Sequence, residues 1–67
     1  MRATYIGQVY NVFEKGKDYY IRSRIETVSV PFGNVYKPQM CICIYDENGT
    51  GWAYYKNLEE VLCNWRF

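Results

Sequence analysis

The sequence predicts a small, mainly β domain, in which four to five strongly bent antiparallel strands close into a barrel and one short helix follows at the C-terminal end. Three observations lead there. The chain has 67 residues, of which 49% are hydrophobic and 19% aromatic, a composition that suits one domain with an aromatic core. Short runs of β-branched and aromatic residues alternate with Gly, Pro and Asn turn signals. Helical periodicity occurs only near the end. We therefore predict a single domain over residues 1–67.

The N-terminal half predicts two strands joined by a tight turn. The first is Thr4–Glu14, where Ile, Val, Tyr and Phe interleave with polar residues. A turn at Lys15–Lys17 follows, and its central glycine can take a positive φ. The second strand, Asp18–Val30, is too long for one flat strand in so small a domain, and its apolar positions change phase along the way. We predict a bulge or sharp bend between Ser23 and Thr27.

The C-terminal half predicts a loop and a hairpin. Pro31–Gln39 contains two prolines and a Gly-Asn pair, which predicts a loop. Met40–Asp46 is apolar on both faces, so it reads as a central strand. Asn48-Gly49 is a strong hairpin signal, and Gly51–Tyr55 is the predicted return strand.

A short helix is predicted over Leu58–Trp65. Asn57 is a suitable N-cap, and Glu60 at the third helical position completes a capping-box-like pair. Spacing of i, i+3, i+4 and i+7 places four apolar residues on one face: Leu58, Val61, Leu62 and Trp65. A helix this short is marginal alone, so we expect it to dock on the barrel.

The stretch DENGTGWAYYKNLEEVL resembles the C-terminal half of small SH3-like barrel proteins from phages and prophages of Gram-positive bacteria. The matching residues are Asp46, Glu47, Gly49, Trp52, Tyr54, Leu58, Glu60 and Val61. Gly7–Phe13 resembles the opening strand of those proteins, whereas Asp18–Gln39 matches no part of them. The resemblance implies an SH3-like barrel fold and a mobile-element origin. It carries over no catalytic or binding residues.

The sequence predicts no enzymatic activity. The chain has no histidine, and its formal net charge is +1. General acid–base catalysis needs a positioned, tuned group, and none is visible. The paired carboxylates Asp46-Glu47 and Glu59-Glu60 are sequence neighbours whose side chains point apart, so they do not form an acid–base dyad. We therefore assign no catalytic residue.

The three cysteines predict neither a metal site nor a disulfide framework. Cys41 and Cys43 lie two apart on one strand, and Cys63 is distant. A structural zinc site normally needs four ligands, which this set without histidine does not supply. We expect three reduced thiols, no metal and no cofactor.

The sequence predicts a protein of the cytoplasm, of the host cell if it is phage-encoded. The longest apolar run, Met40–Tyr45, is far shorter than the roughly 18 residues that suggest a membrane span. The N-terminal stretch MRATYIGQVY has no apolar signal-peptide region. We expect no membrane partner.

Function is predicted to depend on binding, with a protein as the favoured partner. The candidate contact residues are Tyr20, Arg22 and Arg24 on one strand face, and Phe32 and Tyr36 in the predicted loop of residues 31–38. Loops carry function more often than scaffolds, and Tyr and Arg are common contact anchors. The expected protein is a small non-enzymatic binder, such as a phage-encoded modulator or inhibitor of a host protein.

Four alternatives stay open at this point. The Tyr and Arg face has the composition of a single-stranded nucleic-acid surface, although the near-neutral net charge argues against this. Phe32 and Tyr36 would serve equally well as a cap on the barrel end. The chain acts as a monomer or as a homodimer. If the predicted contact residues are not the binding site, the face bearing Trp52 and Tyr54 is the next candidate surface.

Overall fold

A computed structural model describes residues 1–49 and 51–67. Thr50, beside the predicted Asn48-Gly49 turn, lies outside the described residues. The elements, in chain order, are β1 (Arg2–Tyr5), β2 (Asp18–Phe32), β3 (Val35–Asp46), β4 (Trp52–Tyr55), α1 (Leu58–Asn64) and β5 (Trp65–Arg66).

The five strands form one antiparallel sheet in the order β4-β3-β2-β1-β5. This confirms the predicted mainly β architecture with one short C-terminal helix. The order ends at β4 on one side and β5 on the other, and no pairing between described residues joins those two strands. The sheet is therefore open in this structure.

The first predicted strand, Thr4–Glu14, is wrong. Strand β1 occupies only Arg2–Tyr5, and the chain then leaves the sheet until Asp18. Within this excursion Tyr10 and Phe13 bridge each other, and Asn11 between them takes a positive φ of 57°. The apolar residues that suggested a strand instead bring the ring of Phe13 into the core, where it is fully buried.

Strand β2 has no bulge between Ser23 and Thr27, so the bulge that we predicted as one of two explanations is wrong. It pairs with β3 in one constant register, from Ile21 opposite Asp46 to Phe32 opposite Val35. A straight 15-residue strand would span roughly 46 Å, whereas the longest dimension of the molecule is 35 Å. Strand β2 therefore bends by coiling along its length, without an inserted residue.

The predicted loop Pro31–Gln39 is a hairpin. Strand β2 continues to Phe32, Gly33 and Asn34 make a two-residue turn, and β3 begins at Val35. Gly33 has a positive φ of 63°, which fits a turn with glycine at the first central position.

The hairpin predicted around Asn48-Gly49 is confirmed as the β3–β4 connection. Gly49 has a positive φ of 75°, and its N–H donates to the Asp46 carbonyl at 2.8 Å. The Asp46 carboxylate accepts from the Asn48 N–H at 3.1 Å, so this side chain helps to shape the turn.

The predicted helix forms, but it ends one residue earlier, at Asn64. Asn57 is the N-cap, and its side-chain oxygen accepts from the Glu60 N–H at 2.9 Å. Only part of the predicted apolar face is buried, because Leu58 and Leu62 are exposed while Val61 packs inward. Trp65 leaves the helix and enters β5, which pairs with β1.

The core is a cluster of aromatic rings with a few small and aliphatic residues. The ring of Trp65 lies 4.9 Å from that of Phe13 and 5.0 Å from that of Tyr5, both in edge-on geometry. The buried core residues are Ala3, Tyr5, Phe13, Ile21, Ile44, Ala53, Tyr55, Val61 and Trp65. Four of these residues are aromatic, and their rings of large area fill much of a small core.

Candidate functional site

The main exposed feature of the structure is the outer part of the β2–β3 hairpin, residues 22–40, which we call the exposed hairpin. None of these residues is buried. Strand β1 pairs with β2 only over residues 18–20, and β4 pairs with β3 only over residues 42–45. The radius of gyration is 12.1 Å, above the roughly 11 Å of a compact chain of this length. The exposed hairpin is therefore a two-stranded ribbon that extends from the core.

One face of the exposed hairpin continues the core-facing side of the sheet. Pairing places Ile25 beside Ile42 and Thr27 beside Met40, and every second pair beyond them, toward the tip, lies on this same face. Ile25 is 69% exposed and Met40 is 70% exposed, although both are large apolar residues. An apolar strip with no cover among the described residues thus runs outward from the core, and such strips commonly mark interaction surfaces.

The opposite face carries the predicted strand residues. Tyr20, Arg22 and Arg24 alternate along β2, so they share this face, and all three are exposed. The Arg24 guanidinium lies 3.8 Å from the Glu26 carboxylate on the same face. The positive charge there is therefore partly balanced.

The two aromatic residues predicted as contacts lie at the tip. Phe32 is 63% exposed and Tyr36 is 73% exposed, so neither packs in the core. The Lys37 ammonium lies 4.2 Å from the centre of the Phe32 ring, a cation–π contact worth about 0.5–1 kcal/mol at an exposed site. Tyr36 pairs with Pro31 and so projects from the other face of the ribbon.

The five predicted residues therefore belong to one hairpin but not to one patch. Phe32 shares a face with Arg24 and lies eight residues away, a separation of up to about 26 Å along the strand. Tyr36 is on the other face. The tip and the Tyr–Arg face are two separate surfaces.

Sequence reasoning missed that the hairpin is continuous from the core to the tip. The available signal was Gly33-Asn34 between two β-rich runs, a known two-residue hairpin pattern. Pro31 and Pro38 argued for a loop instead. A strand tolerates proline where the missing N–H would point away from the paired strand, and that is the case for both residues.

The face that carries Arg24 also contains two buried thiols. Cys41 and Cys43 are each 1% exposed, Cys63 is exposed, and all three are free. The Tyr45 hydroxyl donates to the Glu26 carboxylate beside them. This bond lowers the pKa of Glu26 and raises the pKa of Tyr45, and burial raises the pKa of the Cys43 thiol. Cys43 therefore behaves as a small apolar residue and not as a reactive thiolate.

The alternative face of Trp52 and Tyr54 lies on β4. Trp52 is 41% exposed, and the two ring centres are 5.7 Å apart with planes inclined at 30°. Pairing places Trp52 beside Tyr45, so these rings adjoin the Cys43 region at the base of the exposed hairpin.

A second feature that sequence reasoning missed is a cleft of about 450 Å³ between the excursion, β4 and the end of α1. Tyrosines and side-chain amides line it: Tyr5, Tyr10, Tyr54, Tyr55, Gln8 and Asn64. The Tyr55 hydroxyl accepts from the Trp65 indole N–H at 3.0 Å, and the Tyr5 hydroxyl donates to the Gln8 carbonyl at 2.5 Å. Core contacts thus already engage both of these hydroxyls.

Over residues 1–49 and 51–67 no group of three or more Cys, Asp or Glu side chains is placed to hold a metal ion. Helix α1 has 7 residues, and no helix in the described part of the chain is long and apolar enough to cross a membrane.

Comparisons with protein families, with curated proteins and with solved structures give no match for this chain.

Proposed function

We propose that this protein is a small, non-enzymatic protein-binding module whose contact element is the exposed hairpin. The observation that carries this proposal is the run of residues 22–40 without a buried member, in which Ile25, Met40, Phe32 and Tyr36 are each more than 60% exposed. A monomeric protein of this size has few apolar residues to spare from its core. Large apolar side chains held in water on a hydrogen-bonded ribbon are best explained by a partner that covers them.

The tip is the part of the hairpin that best fits a protein contact. Phe32 and Tyr36 project from opposite faces of a tight turn, so a partner groove could receive both rings. Aromatic anchors of this kind dominate the energetics of many interfaces. Arg22 and Arg24 lie nearer the core on a separate surface, so the contact proposed for the tip does not depend on them.

We also propose the finer identity that the sequence resemblance implies: an SH3-like barrel relative encoded by a phage or prophage of a Gram-positive bacterium, acting in the host cytoplasm as a modulator or inhibitor. What supports it is the DENGTGWAYYKNLEEVL stretch. The coiled β2 and the pairing of β5 with β1 are compatible with a barrel-like arrangement.

Single-stranded nucleic acid is the second candidate ligand. The shared face of Tyr20, Arg22 and Arg24 favours it, because stacking and phosphate contact use such alternation. The Glu26 carboxylate beside Arg24 and the net charge of +1 disfavour it.

The proposal predicts that partner capture depends on the tip. We expect tagged wild-type protein to retain a protein from a lysate of a Gram-positive bacterium, with or without nuclease. Phe32→Ala combined with Tyr36→Ala should lower that capture at least tenfold, since anchor residues typically contribute more than 1 kcal/mol each. Thermal stability should change little, because both rings are mostly exposed.

The matched control is Val9→Ala together with Tyr10→Ala, which removes exposed side chains of the excursion and leaves the exposed hairpin unchanged. This pair should leave capture unchanged. Capture that survives the tip variant but is lost with Arg22→Ala and Arg24→Ala and with nuclease would support nucleic-acid binding instead.

A further inference from the structure

We infer that the outer edge of β2, from Arg22 to Phe32, pairs with the same edge of a second copy of the chain, giving an antiparallel homodimer centred on Thr27. The inference rests on backbone directions along β2 and β3 and on the positions of two prolines. It does not depend on the identity of the partner proposed for the tip.

Backbone hydrogen bonds fix which residues of β2 face outward. The Tyr20 carbonyl accepts from the Glu47 N–H at 2.8 Å, so Tyr20 faces β3 and its continuation. Ile21 exchanges two bonds with Met1 on the other side, at 2.6 and 3.1 Å. Because these directions alternate along a strand, the even-numbered residues of β2 face β3 and the odd-numbered residues face the outer edge.

Beyond Ile21 that outer edge has no partner strand among residues 1–49 and 51–67. The N–H and C=O groups of Ser23, Ile25, Thr27 and Ser29 therefore point away from the hairpin in an uninterrupted row. An open edge of this length invites pairing with another strand, and natural proteins usually block such edges.

The prolines block the two edges of the exposed hairpin unequally. In β3 the even-numbered residues face outward, and Pro38 lies in the middle of the free stretch of residues 35–41, where it removes a donor. In β2 the outward-facing proline is Pro31, one residue before the strand ends. Strand β3 is thus closed to a further strand, whereas β2 is open over most of its free length.

Geometry also selects the register of a symmetric pair. Outward-facing residues of one copy must pair with outward-facing residues of the other. These are all odd-numbered, so the residue numbers of any two paired residues add up to an even number. The free edge lies between Ile21, which Met1 already covers, and the turn at Gly33. The longest symmetric register inside these limits is centred on Thr27. A register centred on Glu26 would place the Glu26 carboxylates of the two copies directly opposite each other. It would also bring the hairpin tip of one copy into contact with Met1 of the other.

In the Thr27-centred register the side chains are compatible. Arg22 lies opposite Phe32 of the second copy, a cation–π geometry, and Arg24 lies opposite Val30. Thr27 meets Thr27, a favourable β-branched pair. The product is a continuous four-stranded ribbon. A two-stranded hairpin is marginal in water, and additional strands are what stabilise it.

Sedimentation velocity on the full chain tests this inference directly. Between about 5 µM and about 500 µM, a range that covers weak interfaces, the wild-type mass should rise toward twice the 8.0 kDa of one chain. Thr27→Pro removes an outward N–H and should leave a monomer throughout. Met40→Pro removes the equivalent outward group on β3, and this matched control should still dimerise.

A crosslink keeps the test decisive if Thr27→Pro does not fold. In a Cys63→Ser background, Thr27→Cys should oxidise to a disulfide dimer, since the Cα atoms of directly opposed, hydrogen-bonded residues lie about 5.5 Å apart. Ser29→Cys should form at least tenfold less of this dimer. A wild-type chain that stays monomeric at the highest concentration would overturn the inference. So would a dimer that Thr27→Pro leaves intact, or equal crosslinking at positions 27 and 29.

Discussion

Replacing Phe13 by alanine is expected to remove a large share of the protein's stability at 25 °C. Phe13 is fully buried and contacts the rings of Tyr5, Tyr19 and Trp65. Truncating a buried phenylalanine typically costs about 3–5 kcal/mol. A chain of this length has a total stability of roughly 3–10 kcal/mol, so the loss is a large share of it. Urea unfolding followed by tryptophan fluorescence measures the effect.

Phe32→Ala is the matched control, because it makes the same chemical change at a residue that is 63% exposed. It should shift the unfolding free energy by less than about 1 kcal/mol. Phe13→Leu, a smaller change, should give a folded protein with an intermediate loss. Equal effects of the two alanine variants would mean that the excursion between β1 and β2 does not anchor the core.

Stability is expected to fall as the pH rises from about 10 to about 12, and Tyr55 is the main cause. This tyrosine is 8% exposed, and burial raises its pKa to about 12. The ordinary value is about 10. Below pH 10 the folded and unfolded chains both keep the proton, so no stability is lost. Between the two values the unfolded chain releases the proton and the folded chain does not, which favours unfolding by up to about 3 kcal/mol.

The measurement is the urea midpoint as a function of pH, compared between the wild type and Tyr55→Phe. The variant should lose much of the alkaline slope. At neutral pH it should be less stable by about 1–3 kcal/mol, because the buried Trp65 N–H loses its acceptor. Burial also raises the pKa of Tyr5, so part of the slope should remain. Tyr36→Phe, at the exposed tip, should follow the wild-type curve. A Tyr55→Phe curve parallel to the wild type would contradict this assignment.

The sequence predicted best where local signals decide the structure. Met40–Asp46 was correctly predicted as a strand, and all of it but the exposed Met40 became the inner part of β3, because apolar residues on both faces need cover from both sides. Helix α1 begins where the Asn57 cap predicted it. Both features depend on neighbours within a few residues, which the sequence displays directly.

The errors lie where distant contacts decide the structure. Gly7–Phe13 has strand-like composition, yet it leaves the sheet, because in this path the ring of Phe13 packs against Trp65 in the core. Strand β5 has only two residues, and only its pairing with β1 defines it. The phase change in β2 suggested a bulge, whereas the apolar residues beyond Ile21 simply lie on a ribbon whose two faces are both exposed.

The candidate site was predicted in its residues but not in its geometry. Tyr20, Arg22 and Arg24 share a face because alternation along a strand is a local property. The separation of Phe32 from Arg24, and of Tyr36 from both, follows from the register of a hairpin that the two prolines concealed.

The most direct measurement of the central claim, that the exposed hairpin contacts a protein partner, is site-specific photocrosslinking in a Gram-positive lysate. Benzoylphenylalanine would replace Phe32 in one protein and Leu58, an exposed residue of α1, in another. We predict one dominant, nuclease-resistant adduct between position 32 and a protein other than a second copy of this chain, suppressed by excess wild-type chain, and no matching adduct from position 58. The claim would be contradicted if adducts formed only from position 58. It would also be contradicted if position 32 gave no adduct that excess wild-type chain suppresses.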